Sequence, residues 1–201
     1  MAFIMKKINI IKIAIFCCFF VFGETSVYAI NLQKPNAQFK ALLKQAIESD
    51  SNFIDKFDAE VWLMDMSNRL AKRASHIPLP ERMALLKAVH REALHAQLDP
   101  QLVLSLIEIE SGFDRFAVSK VGARGLMQIM PFWKNEIGHK NDNLFDIDTN
   151  LKYGCAILSI YFKLEKDKIV GALARYNGSY GRVKYSNKVL SVLRKHWRTG
   201  D

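Results

Sequence analysis

Cysteine is scarce in this chain of 201 residues: there are three, and Cys17 and Cys18 both fall in the first apolar run. That run lies in MAFIMKKINIIKIAIFCCFFVFGETSVYA, where Lys6, Lys7 and Lys12 precede or enter an apolar stretch and a polar stretch then ends at Ala29. Basic, apolar and small-residue regions in that order predict a secretory signal peptide over residues 1–29, cleaved near Ala29, and hence a periplasmic or secreted protein. The alternative is an uncleaved anchor, because the run is only slightly short of a membrane span. Without the signal, Cys155 is the one remaining thiol. That excludes an internal disulfide even in an oxidising compartment, so stability must come from packing. Cys155 sits in YGCAILSIYF, an apolar helical pattern, and is expected in the core rather than as a nucleophile.

Glycine and proline are also few, ten and five, in a chain that is half hydrophobic. Such a composition excludes disorder and is enough for one ordinary core. No convincing alternation of apolar and polar residues marks a strand, so the predicted class is all-α. The patterns predict helices over 37–50, 55–74, 80–98, 100–111, 125–137, 148–163, 168–176 and 185–197. His76-Ile77-Pro78 is the one plausible break. It separates an N-terminal helical extension, residues 30–78, from a main unit over residues 79–201.

Acidic residues are outnumbered. Removing the signal leaves 26 basic and 19 acidic side chains, a formal charge of +7. That balance suits an anionic polymer or surface. Nucleic acid is not the expected partner, because the basic residues are spread along the chain and the signal directs it out of the cytoplasm. The five histidines have no metal-ligand spacing, and Cys155 has no second thiol beside it, so no metal and no cofactor are expected.

What the chain does have is a pair of carboxylates in an apolar helix, Glu108 and Glu110 in LVLSLIEIESGF. Asp99 and Pro100 read as a cap and first-turn proline, and Gly112 permits reversal after about three turns. Val103, Leu106, Ile107 and Glu110 then share one face, so Glu110 ends an apolar stripe. Glu108 lies about 200° around the helix, with Gln101, Leu104 and Ser105, where it can reach solvent or a basic partner. Desolvation and the negative helix end both favour the neutral form of Glu110, which suits a general acid.

The blocks ESGF, AVS, GARGLMQIMP and ARYNG occur in that order from Glu110 to Gly178. They resemble the soluble lytic transglycosylase family of peptidoglycan-cleaving enzymes, with its goose-lysozyme-like α-helical catalytic domain. The resemblance runs from about Leu98 to the last helix and weakly back to Pro80. It implies that residues 79–201 are the catalytic domain and that Glu110 is the catalytic acid/base, with Ser111 beside it. It also implies that Ser119, Gln128 and Met130 line the glycan groove and that Tyr176 and Asn177 approach the acid, the Tyr176 phenol orienting the carboxyl. Arg115 stands where the family usually has proline or alanine, and Lys134 where it usually has a small residue. Both departures bear on substrate preference.

The implied reaction is cleavage of the MurNAc-β-1,4-GlcNAc bond without water, leaving 1,6-anhydro-MurNAc ends. One Glu suffices because the sugar's own C6 hydroxyl attacks. A hydrolytic muramidase would need a second carboxylate. Asp114, Asp146 and Asp148 are the candidates, although Asp114 reads as a turn residue and DIDTN as a helix N-terminus. Trp133 and Trp197 are candidates for sugar stacking or for the core. The expected partner is the peptidoglycan strand, acted on by a monomer. A different reading is a wall-binding module recruited to a secretion or conjugation apparatus through the extension.

Overall fold

The computed structural model describes residues 56–198. The predicted signal peptide, the predicted helix 37–50 and residues 30–55 of the extension lie outside the described residues. Seven α-helices follow in order: α1 Lys56–Arg73, α2 Leu79–His95, α3 Pro100–Glu110, α4 Trp133–Ile137, α5 Ile147–Leu164, α6 Ile169–Tyr176 and α7 Lys184–Val192. A turn of π-helix, Leu193–Trp197, extends α7. The all-α class is what the structure shows, and among the described residues no helix is long and apolar enough to cross a membrane.

The core is built around two helices. In α5, Asn150, Leu151 and every residue from Tyr153 to Ile160 are buried, so its middle is covered on all sides by α2, α6 and the loop before α4. A helix apolar around its whole circumference has to be central. Cys155 belongs to this stretch, and its burial pushes the thiol pKa up. The second central helix, α3, buries Leu102 through Ile107. Its start is as expected: Asp99 accepts from the Gln101 N–H at 2.8 Å, and Pro100 occupies the first turn. Its second stripe differs from expectation, since Leu104 and Ser105 are fully buried. The C-terminal turn packs on α3, and its Trp197 reaches Glu108 on that stripe. On α1, Leu63, Met66, Ser67 and Leu70 form a buried stripe against α2, and its apolar members join the same core as α3 and α5.

One predicted helix is largely replaced. Only Trp133–Ile137 of the span 125–137 is helical. Residues 117–129 instead form a tight loop with isolated antiparallel bridges from Val118 to Arg124 and from Arg124 to Ile129. Gly125 and Gln128 both have positive φ, 73° and 52°, which breaks the helical path. Gly125 is required by its surroundings: a Cβ there would sit 2.4 Å from both the Asn150 amide and the Leu144 carbonyl oxygen. Leu126, Met127 and Ile129 are buried, so the spacing that resembled a helix came from a loop turning its apolar side chains inward.

Candidate active site

Glu110 closes α3, and its carboxylate accepts a hydrogen bond from the Tyr185 hydroxyl of α7. Burial pushes its pKa above the usual carboxylate value; the Tyr185 hydrogen bond and the nearby Lys188 charge oppose that shift without cancelling it. Burial and the charge of Glu110 raise the Tyr185 pKa well above its ordinary value, so this phenol remains a proton-bearing donor. The result is a half-buried carboxyl that favours its proton, held in place by one neutral donor.

The expected donor was Tyr176, and here the structure corrects the sequence. The Tyr176 hydroxyl donates instead to the Met127 carbonyl at 2.8 Å. Tyr176 still lies close enough for the Glu110 charge to act on it, second to burial, in raising its pKa. Its hydroxyl ties α6 to the loop over residues 117–129. Asn150 grips the same loop from α5: it accepts from the Met127 N–H at 2.8 Å and donates to the carbonyls of Arg124 at 2.9 Å and Leu144 at 2.7 Å. A Cβ on Gly154 would approach the Met127 sulfur to 2.3 Å, so the glycine leaves the space that this side chain fills.

The remaining implied residues fall around these elements. Ser111 follows α3 and its hydroxyl donates to the Ile107 carbonyl at 3.2 Å. The Ser119 hydroxyl accepts from the Ala123 N–H at 3.0 Å, closing its turn. Gln128 donates to the carbonyls of Gly125 at 2.9 Å and Ala117 at 3.2 Å. Met130 is half-buried against the core, and Asn177 is exposed just after α6. Gln128 and Ser119 therefore shape the loop with their own side chains.

Glu108 occupies a different environment. Its Oε1 accepts from Arg73 Nη2 at 2.7 Å and Nε at 3.0 Å, and its Oε2 accepts from Trp197 Nε1 at 2.9 Å. His196 Nδ1 lies 2.9 Å and 3.1 Å from the two oxygens. The expected basic partner is present, but the side chain is only 12% exposed and joins α1, α3 and the π-turn. The π-turn carries both His196 and Trp197, and both reach the one carboxylate. Trp197 is fully buried and packs on Phe113, with ring centroids 5.6 Å apart. Trp133 is buried as well, so both tryptophans belong to the core.

The carboxylates considered as a second acid have structural partners. Asp114 accepts from the Phe116 N–H at 2.8 Å in its own turn. Asp146 caps α5 by accepting from the Thr149 N–H at 2.9 Å, and Asp148 pairs with Arg91 at 2.7 Å. Among the described residues no cluster of three His, Cys, Asp or Glu is arranged to hold a metal ion.

Sequence reasoning missed Tyr185, Lys188 and Asn150. Tyr185 lies beside the buried Ser186 and Val189 in α7, and an amphipathic aromatic at such a position signals a polar partner without identifying it. Asn150 is 1% exposed, and a buried amide in an apolar helix has to be satisfied by something.

The Transglycosylase SLT domain matches residues 87–191, just over half of the chain. Membrane-bound lytic murein transglycosylase C of Photorhabdus laumondii is 31% identical over 133 residues, covering 58% of this chain and 35% of that protein. The protein of the same name from Yersinia pestis is 31% identical over 145 residues, 62% of this chain and 38% of its own. Membrane-bound lytic murein transglycosylase F of Desulfosudis oleivorans is 33% identical over 97 residues, 45% of this chain and 21% of its own. This chain thus spans well under half the length of these relatives. An inactive mutant of lytic transglycosylase Slt from Pseudomonas aeruginosa aligns over 78% of this chain and 26% of its own, with 24% identity and a TM-score of 0.46. By the extent of the domain match, the chain belongs to the Transglycosylase SLT domain family.

Proposed function

We propose that this protein is a peptidoglycan lytic transglycosylase with Glu110 as its single general acid/base. The observation that carries the reading is the Glu110 carboxyl itself, biased by burial toward its protonated form and held by Tyr185. The family match and the names of the relatives supply the substrate, murein. In the proposed reaction Glu110 gives its proton to the glycosidic oxygen as the bond from the MurNAc anomeric carbon breaks. The C6 hydroxyl of the same sugar then bonds to that carbon and returns its proton to Glu110. No water is consumed, and the enzyme ends as it began. An intramolecular nucleophile starts with a large effective concentration, which lowers the demand on the protein. Ser119, Gln128, Met130 and Asn177 would line the glycan groove, and Ser111 would fix the end of α3. Tyr185 would hold the carboxyl, with Lys188 favouring its ionised form between the two proton transfers.

The fixed roles of Asp114, Asp146 and Asp148 favour this reading over a hydrolytic muramidase. Secretion through residues 1–29, with the mature chain working on the wall from the periplasmic side, belongs to the same proposal. Digestion of purified peptidoglycan followed by mass spectrometry of the released muropeptides tests it. The expected products carry 1,6-anhydro-MurNAc ends; reducing ends would contradict the proposal.

A further inference from the structure

Tyr180 is 60% exposed in the segment that joins α6 to α7. It lies in a turn over residues 179–182, closed by the Arg182 N–H to the Ser179 carbonyl at 2.9 Å. The Arg175 guanidinium lies over its ring, 3.9 Å from the centroid. Arg175 is itself fixed by the Glu165 carboxylate, which is only 13% exposed. A Cβ at position 171 would come within 2.3 Å of Glu165 Oε2, so Gly171 is what admits this pair. One face of the Tyr180 ring is therefore covered by an anchored cation, and its exposure belongs to the other face and the edge.

The two ends of this segment both lead to the candidate active site. Tyr176, where α6 ends, feels the Glu110 charge, and Tyr185, in the first turn of α7, donates to Glu110. Exposed Asn177 lies in the same segment and offers an amide donor and acceptor. An exposed aromatic face in the same short segment as an exposed amide suits a pyranose ring, which has an apolar C–H face and a polar rim of hydroxyl and acetamido groups. We propose that the open face of Tyr180 is a stacking platform for a sugar ring of the glycan strand, flanking the bond that Glu110 cleaves. Because Arg175 already holds the ring, little side-chain freedom is lost on binding. The inference rests on the glycan-cleaving reading of the site and adds a binding subsite to it.

The probe is the hexamer of N-acetylglucosamine, titrated by calorimetry into the full chain carrying Glu110→Gln so that the glycan stays intact. Adding Tyr180→Ala should weaken binding about three- to tenfold, the range of one aromatic stack. Tyr180→Trp should retain the affinity. With Glu110 intact, Tyr180→Ala should raise KM on purified peptidoglycan more than it lowers kcat, at an unchanged melting temperature. Unchanged hexamer affinity and unchanged KM in Tyr180→Ala, while the parent still cleaves peptidoglycan, would overturn the platform alone. A parent chain that neither binds the hexamer nor cleaves peptidoglycan would overturn the platform and the reading beneath it together.

Discussion

Glu108 and Glu110 are two residues apart on one helix, yet their surroundings differ in kind. Glu108 is saturated: two Arg73 nitrogens, the Trp197 indole and the His196 ring all converge on its oxygens. Glu110 has one neutral hydroxyl donor and a more distant ammonium group. The first arrangement occupies both carboxylate oxygens and joins three elements. The second leaves a carboxyl free to gain and lose a proton. Burial alone does not distinguish a working acid from a structural one; the number and charge of its donors does.

The largest effect on stability should come from breaking the saturated site. Glu108→Ala leaves the buried Trp197 N–H, the Arg73 guanidinium and the His196 ring without their shared partner, and should cost about 2–4 kcal/mol of unfolding free energy. Denaturant titration checks this, and a loss within experimental scatter would mean that the joint is ornamental. Asn150→Ala should cost slightly less, about 2–3 kcal/mol, by leaving the Met127 N–H and two carbonyls unpaired. It should also reduce cleavage per folded molecule, because the loop to which Tyr176 is tied is no longer gripped from α5.

Tyr185→Phe acts on the sparse site. It removes the donor that favours the ionised carboxyl, so cleavage should fall about tenfold. The Glu110 pKa should rise further, and the limb where activity is lost with increasing pH should move to higher pH. Tyr176→Phe, by contrast, should affect stability more than the pH profile, since its hydroxyl bonds to Met127. Equal pH shifts in the two variants would erase the distinction drawn between these tyrosines.

The smallest expected effect concerns linkage. Because the folded Glu110 pKa is raised, its protonated form contributes stability below the unfolded value of about 4.3, and that contribution is lost as pH rises through the folded value. Glu110→Gln should therefore melt slightly higher than the parent at neutral pH, with the difference shrinking in acid. A lower melting temperature at neutral pH would show that the ionised carboxylate stabilises the fold.

Local signals were legible in the sequence and distant ones were not. The Asp99-Pro100 start of α3 and the position of Glu110 at the end of an apolar stripe follow from neighbours within a few turns. The Glu110 donor lies 75 residues away, and the Glu108 partners 35 and 88 or 89 residues away, so no helical period could select them. The Gly125 to Pro131 loop misled for a related reason. Its apolar spacing satisfies a helix, but the partner of the Met127 N–H is Asn150, supplied by another element. The family blocks implied that Tyr176 orients the Glu110 carboxyl, whereas its hydroxyl donates to the Met127 carbonyl, because a motif records proximity without hydrogen-bond direction.

The contrast between the two carboxylates is tested most directly by peptidoglycan cleavage, per folded molecule, for Glu110→Gln and Glu108→Gln measured side by side. Glu110→Gln should lose at least about 10²-fold, the usual scale for removing a general acid/base, while Glu108→Gln stays within a few-fold once its unfolded fraction is discounted. Full activity in Glu110→Gln, or a loss in folded Glu108→Gln equal to that of Glu110→Gln, would contradict the assignment of the proton to Glu110.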